Sequence, residues 1–484
     1  MTIGKTGFLM AAAIALTPAA MQGAVSLDSC RNMALRNNKT IQVAEENIRG
    51  AGFSRKAARA AYLPGIDFAG GYMYNQHKIE LLGADAKLPT MTFNPLTQSY
   101  DYNVLIGPDL KPVTDPATGM PIPTEVAVIP KEAMEFDTHN VFAGAITLTQ
   151  PIFMGGQIRA LNKLADDAES LSRNARSAVV QEVIYNVDQA YWMVISLKEK
   201  QKLAESFVEL MGNFRDNVDA MLQEGVATRS DKLQVEVAYN EACIARTKVD
   251  NGLTLANMAL AQICGLPVDT RMELADKSMR RDISSKAPDI TLDMQSVFER
   301  RPDLASVRNT VEMMKHKEDL ALGQMLPKVA LVGAYSFSNP NVNHGFEKKF
   351  GGGFSVGATL TIPIWHWGGN YNQLRAARSN TAAQRLLLED LEEKVTLQAN
   401  QARFSYQEAF KTYEMTLSNE KSAQANLDNA RIGFSEGVLT TDDVIAAQTA
   451  WLKANSERID AEIGIRLCET YLAKVLGTLG ASAD

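Results

Sequence analysis

Phe142-Ala-Gly-Ala-Ile-Thr-Leu-Thr-Gln-Pro151 alternates apolar residues with small or hydroxyl-bearing ones, and the chain repeats the pattern 212 residues later as Phe354-Ser-Val-Gly-Ala-Thr-Leu-Thr-Ile-Pro363. At the same offset Glu224-Gly225-Val226 matches Glu436-Gly437-Val438, and Gly265 matches Gly477. A second offset, 263, pairs Leu63-Pro64 with Leu326-Pro327, and Gly70 and Tyr72 with Gly333 and Tyr335. The protein is therefore two copies of one unit. Each copy reads helix, strand, loop, strand, very long helix, turn, helix.

Period-two patterning places Phe68 and Tyr72 on one face of a strand near 64–75, and Phe142, Ile146 and Leu148 on one face of a strand near 140–151. Leu331 and Tyr335 do the same near 327–338, and Phe354 and Leu360 near 353–363. The opposite faces are small or polar: Ala143, Ala145, Thr147 and Thr149, then Ser355, Gly357, Thr359 and Thr361. Strands of about ten residues with one apolar and one small or polar face fit a transmembrane β-barrel, with the apolar residues toward lipid. A β-sandwich with one wet face is the soluble alternative. Four strands are too few, since the smallest single-chain barrels have about eight. Open sheet edges within lipid leave N–H and C=O groups unpaired at several kcal/mol each, so the barrel has to be shared between chains. Three chains would give twelve strands and four would give sixteen.

No proline occurs from Ile152 to Leu266 or from Ile364 to Asp484. Proline costs about 3 kcal/mol inside a helix, so its absence permits very long ones. Apolar residues step by three and four through Val180, Val183, Val187, Ala190, Val194 and Leu197, and again through Ala402, Tyr406, Ala409 and Tyr413. That is the seam of helices packed side by side. The helical path from Gly155-Gly156 to Gly225 spans roughly 100 Å at 1.5 Å per residue, the length of a rod.

The expected division is a leader at 1–24, a first repeat at 25–266, a connector at 267–296 and a second repeat at 297–484. The helical hairpins fall at 157–265 and 370–477. Lys5, the apolar run Phe8 to Leu16 and the small residues up to Ala24 make an export signal. Residues 76–139 hold eight of the 17 prolines and read as an ordered or semi-ordered surface loop. A formal charge of −7 argues against a nucleic-acid partner. The four cysteines, Cys30, Cys243, Cys264 and Cys468, have no CxxC spacing. A disulfide or, for Cys30, a lipid anchor competes with the plainer reading of buried thiols on helix faces. Five scattered histidines, with no HExxH, Gly-x-Ser-x-Gly or phosphate loop, give no support to an enzyme, a metal site or a cofactor. Trp365, His366 and Trp367 read as an interfacial aromatic belt.

The two hairpin turns, Glu224-Gly-Val-Ala-Thr-Arg-Ser-Asp231 and Glu436-Gly-Val-Leu-Thr-Thr-Asp-Asp443, read as helix ends followed by capped helix starts. Asp442 and Asp443 are then either N-terminal carboxylates facing solvent or, multiplied by symmetry, a ring of carboxylates around a narrow mouth.

Together with Ser26-Leu-Asp-Ser-Cys-Arg-Asn-Met-Ala-Leu-Arg-Asn-Asn38, Arg301-Pro-Asp-Leu304, Pro151-Ile-Phe-Met-Gly-Gly156, Pro363-Ile-Trp-His-Trp-Gly-Gly369 and Ala473-Lys-Val-Leu-Gly477, these segments resemble the TolC-like outer-membrane efflux family. The resemblance implies a mainly α protein with a membrane β part. It would be a homotrimer in which four β-strands per chain build a shared twelve-stranded barrel in outer-membrane lipid, joined to a long periplasmic α-helical coiled-coil tunnel. It implies a passive duct that receives cargo from an inner-membrane pump through a periplasmic adaptor protein. By the same resemblance Gly225, Val226, Ala227, Gly437, Val438 and Leu439 would dock the adaptor, and Asp442 and Asp443 would line the periplasmic constriction. Asp443 matches one of two tip aspartates of the family, but Ala446 stands at the other. Leu439 and Phe434 replace the basic residue and the tyrosine of the best-known tip lock. A structural coiled-coil stalk of the adhesin kind is the alternative; it has no need of ten-residue amphipathic strands or hairpin turns.

Overall fold

The computed structural model describes residues 24–275 and 290–480. Nearly all of the 1–24 leader and part of the 267–296 connector lie outside the described residues. The chain divides into two compact units that cut across the sequence repeats. One takes in the chain up to Lys56, Asn162–Glu318 and the chain from Arg375 onward; the other takes in Ala57–Leu161 and Asp319–Leu374.

The second unit holds an antiparallel four-stranded sheet. Its strands are β1 (Gly65–Tyr74), β8 (Asn140–Met154), β9 (Lys328–Asn339) and β10 (Gly351–Thr361), in that spatial order. Register makes the four apolar faces one. Tyr72 lies opposite Phe142 and Phe68 opposite Ile146. Ile146 in turn faces Tyr335, and Tyr335 faces Phe354. The flat pair Gly70 and Gly144 is roofed by aromatics. The rings of Phe68 and Phe337 stack 6.4 Å apart, and a Cβ on Gly144 would come within 2.6 Å of the Phe337 ring. Such cover restores the packing a glycine cannot give.

Two expectations need correcting here. Pro151 does not end its strand. Lacking an N–H, it sits at a break in register between Pro151 and Phe153, and β8 runs on to Met154. Nor is 76–139 merely a loop. It folds out and back as a paired arm: β2 (Ile79–Glu80) with β7 (Glu135–Phe136), β3 (Ala86–Pro89) with β6 (Val126–Ile129), and β4 (Met91–Asn94) with β5 (Ser99–Tyr102). Its root is tied to the short loop after β9. Phe136 packs 5.2 Å from Phe346. The Lys348 ammonium pairs with Asp137, whose carboxyl is lowered to about 2 chiefly by that hydrogen bond.

The first unit is helical. In each repeat a short helix breaks and continues: α1 (Leu27–Asn37) then α2 (Lys39–Ala60), and α5 (Met294–Arg300) then α6 (Pro302–Gly323). Each repeat then has a 67-residue helix followed by a 35-residue one. These are α3 (Gln157–Gln223) with α4 (Arg229–Ile263), and α7 (Gly369–Ser435) with α8 (Thr441–Val475). The residues at the breaks, Asn38 and Arg301, are 263 apart, and both reach matching carbonyls. Asn38 Nδ2 donates to the Ile263 carbonyl at 2.9 Å, and Arg301 Nη1 to the Val475 carbonyl at 3.3 Å. Gly265 and Gly477, with φ of 72° and 69°, close the second hairpin helices directly against α1 and α5. A Cβ on Gly265 would sit 2.7 Å from the Asn37 carbonyl oxygen, and one on Gly477 3.0 Å from that of Arg300.

The seam read from sequence is buried: Val183, Val187 and Val194 of α3 pack with Tyr191, Ile195, Cys30, Ala34, Leu260 and Cys264. Each such side chain contributes roughly 1.5–3 kcal/mol. Within this core Arg31 makes a two-pronged ion pair with the fully buried carboxylate of Asp188, at 2.7 and 2.6 Å. Removing the guanidinium would strand a buried charge.

Two glycines with the same backbone conformation should respond differently to one methyl group. Gly225 has nothing within 4 Å of its Cβ position; Gly225→Ala should cost about 1–2 kcal/mol, the left-handed penalty alone. Gly265→Ala should cost roughly 2–5 kcal/mol, because overpacking against Asn37 adds to it. Denaturation midpoints of the two purified variants check the order.

Candidate functional site

The sheet and the hairpin turns carry the functional geometry. Phe68, Tyr72, Phe142, Ile146, Leu148, Leu331, Tyr335, Phe354 and Leu360 are all exposed and share the continuous apolar face. The other face carries Ala143, Ala145, Thr147, Ala330, Ala334, Ser336, Ser355, Gly357 and Thr359. Antiparallel strands of ten residues or more, tilted about 45°, match a hydrocarbon core about 25–30 Å thick. No described helix is long and apolar enough to cross a membrane. Aromatics gather near the sheet ends: the rings of Tyr72 and Phe142 lie 4.8 Å apart, and Trp365 and Trp367, both exposed, lie 5.9 Å apart.

The two turns have the same backbone construction. Gly225 (φ 76°) and Gly437 (φ 75°) take the left-handed conformation that ends a helix. The N–H of Val226 donates to the Met221 carbonyl and that of Val438 to the Gly433 carbonyl, each at 2.8 Å. Three residues later Thr228 and Thr440 cap the next helix in full capping boxes with Asp231 and Asp443. The two hairpins meet beneath their turns, where Val444 of α8 packs with Phe214 and Val218 of α3 and Val235 of α4.

The six turn residues are not equally presented. Val226 and Val438 are 71% and 78% exposed. Leu439 folds back over Gly433, and Ala227 packs on the cluster of Phe214, Val218, Val235 and Val444 beneath the turns. Beside Val226 a groove of about 750 Å³ opens between α3 and α7, lined by Phe214, Met221, Glu224, Phe434 and Val444. Asp442 is exposed at the start of α8. Asp443 is exposed too, but its carboxylate is taken up by the cap: its Oδ2 accepts from the backbone N–H and the hydroxyl of Thr440 at 2.9 and 2.7 Å. Sequence reasoning places a capping residue here but misses that the box occupies the carboxylate. The Thr-x-x-Asp spacing at both turns carries that signal.

Hydrogen bonds from Thr228 and Thr440 hold the carboxyls of Asp231 and Asp443 below the ordinary aspartate range. A lowered folded-state value means the stabilisation is complete above the unfolded value of about 3.9 and is lost as pH falls through the folded one. Amide exchange at Thr228 and Thr440 should therefore accelerate selectively in acid. Asp231→Asn with Asp443→Asn should show the fast rate already at neutral pH, read by hydrogen–deuterium exchange.

The outer membrane efflux protein family is matched over residues 127–266 and 294–478. Alkaline protease secretion protein AprF of Pseudomonas aeruginosa is 23% identical over 334 residues, 68% of this chain and 67% of that protein. Outer membrane protein TolC of Escherichia coli is 21% identical over 349 residues, 70% of each. Among solved structures, CusC superimposes with a TM-score of 0.72 at 15% identity, covering 93% of this chain and 91% of that one. The Campylobacter jejuni CmeC outer membrane channel gives 0.70 at 16% identity, covering 95% and 87%. Because the family match runs through both repeats and takes in β8 to β10 and all the long helices, this chain belongs to the outer membrane efflux protein family.

Proposed function

We propose that this protein is the outer-membrane exit duct of a tripartite efflux or type I secretion system, formed by three identical chains. The observation that carries the reading is the two-faced sheet with unpaired outer strands: β1 and β10 each have one neighbour in the sheet. β1 and β10 run in opposite directions, since three antiparallel steps separate them. The β10 of one copy can therefore pair with the β1 of the next, and three copies close twelve antiparallel strands. The apolar face meets outer-membrane lipid. The face of Ala, Gly, Ser and Thr lines a wet lumen, so polar cargo passes without being stripped of water. Family members are channels rather than enzymes, and energy comes from the pump.

The turns are the docking tip for a periplasmic adaptor, which brings cargo from the inner-membrane pump. Exposed Val226 and Val438 at left-handed glycines present apolar side chains with no partner in the chain's own core. Gly225, Ala227, Gly437 and Leu439 shape the two turns around them. Asp442 and Asp443, threefold repeated, give the periplasmic mouth a negative ring, both exposed but with the Asp443 carboxylate engaged in its cap. A stalk protein has no use for a closed, two-faced sheet, and that alternative is set aside.

Outer-membrane fractions should yield heat-modifiable trimers that conduct ions in planar bilayers and prefer cations, the preference weakening in Asp442→Asn with Asp443→Asn. Well-folded trimers with open tips and no conductance would overturn the duct. Val226→Asp with Val438→Asp leaves the turn backbone unchanged and should cut export at least about tenfold, the effect of about 1.4 kcal/mol lost at the dock. Trimer yield should not change, and export that survives places docking elsewhere.

A further inference from the structure

We propose that Cys30 and Cys264 are joined by a disulfide in the exported protein, tying the first helix of the chain to the end of the first hairpin. The two residues are 234 apart in sequence, yet Cys264 Sγ lies 3.7 Å from the Cys30 carbonyl oxygen. Both side chains are completely buried in one cluster with Ala34, Val187, Tyr191 and Leu260. The backbone between them is fixed from both sides. Gly265, next to Cys264, abuts Asn37 at the end of α1, and Asn38 holds the Ile263 carbonyl. Rotation of the two side chains is what would close the sulfurs to the roughly 2.05 Å of a bond.

The remaining thiols offer no competing pair: Cys468 packs in a separate cluster on α8, and Cys243 lies midway along α4, away from the buried clusters. The second repeat has no equivalent cross-link, since Asp293 and Leu476 stand at the matching positions. The inference rests on the outer-membrane location, because the folding compartment is then oxidising. The oxidant is the disulfide of a periplasmic thiol oxidoreductase. The Cys264 thiolate attacks one of its sulfurs, forming a mixed disulfide and releasing one donor thiolate. The Cys30 thiolate then attacks Cys264 Sγ, releasing the second. Two thiols of this chain lose two protons and two electrons, and one donor disulfide becomes a dithiol. The step belongs to folding, before the cluster closes over both sulfurs.

The test is an adduct count. Full-length protein from the outer-membrane fraction is unfolded in acid without reductant, then alkylated with N-ethylmaleimide and weighed intact. Two adducts are expected, rising to four after reduction, and a non-reduced digest should contain the peptide of Cys30 linked to that of Cys264. In Cys243→Ser with Cys468→Ser, whose substitutions leave the buried pair untouched, no adduct should form before reduction. Four adducts on the unreduced wild-type protein, or a cross-link involving Cys243 or Cys468, would overturn the proposal.

Discussion

A strand edge in hydrocarbon has nowhere to send its hydrogen bonds. That constraint governs this protein, because the apolar face that commits the sheet to lipid also forbids β1 and β10 from remaining single-neighbour strands. Neither face can be sacrificed to cure the problem within one chain. The apolar side is continuous across all four strands by register, and the small side is continuous for the same reason. Assembly is therefore a condition of placing the sheet in a bilayer, not an elaboration of a finished fold.

The helical unit rests on a different device, used twice. Each long hairpin ends in a left-handed glycine, and that glycine presses on the last residue of a short helix: Gly265 on Asn37, Gly477 on Arg300. Beside each contact a polar side chain spans the break to the helix-end carbonyl, an amide in one repeat and a guanidinium in the other. Both devices satisfy an orphan carbonyl that a helix terminus leaves behind. The chemistry drifted between the copies while the geometry stayed.

Much of this can be read from the residues because the periods are clean. Phe142, Gly144, Ile146 and Leu148 alternate strictly, and Val183, Val187 and Val194 step like a helix seam, so faces and cores follow from spacing alone. The limits of that reading are equally physical. Pro151 looks like a stop because it cannot donate a ladder bond, yet a bulge absorbs the loss within an otherwise paired strand. The 76–139 arm uses strands of two to four residues, too short for any period to register. The breaks at Asn38 and Arg301 are nearly silent, since apolar spacing continues on either side and only Pro302 marks one of them. At the turns the glycines are plain, but that Leu439 folds back while Val438 beside it stands out depends on the chain around Gly433.

In the proposed threefold assembly the duplicated hairpin gives something close to sixfold order. Around the rim, turns of the Val226 kind alternate with turns of the Val438 kind, identical in backbone and in capping box. They differ one step further on. Arg229 follows the first cap where Thr441 follows the second, and Ser230 stands where the second carries Asp442. A partner that reads only shape meets six equal seats, whereas one that reads charge meets two interleaved sets of three, one carrying an arginine and the other an extra aspartate.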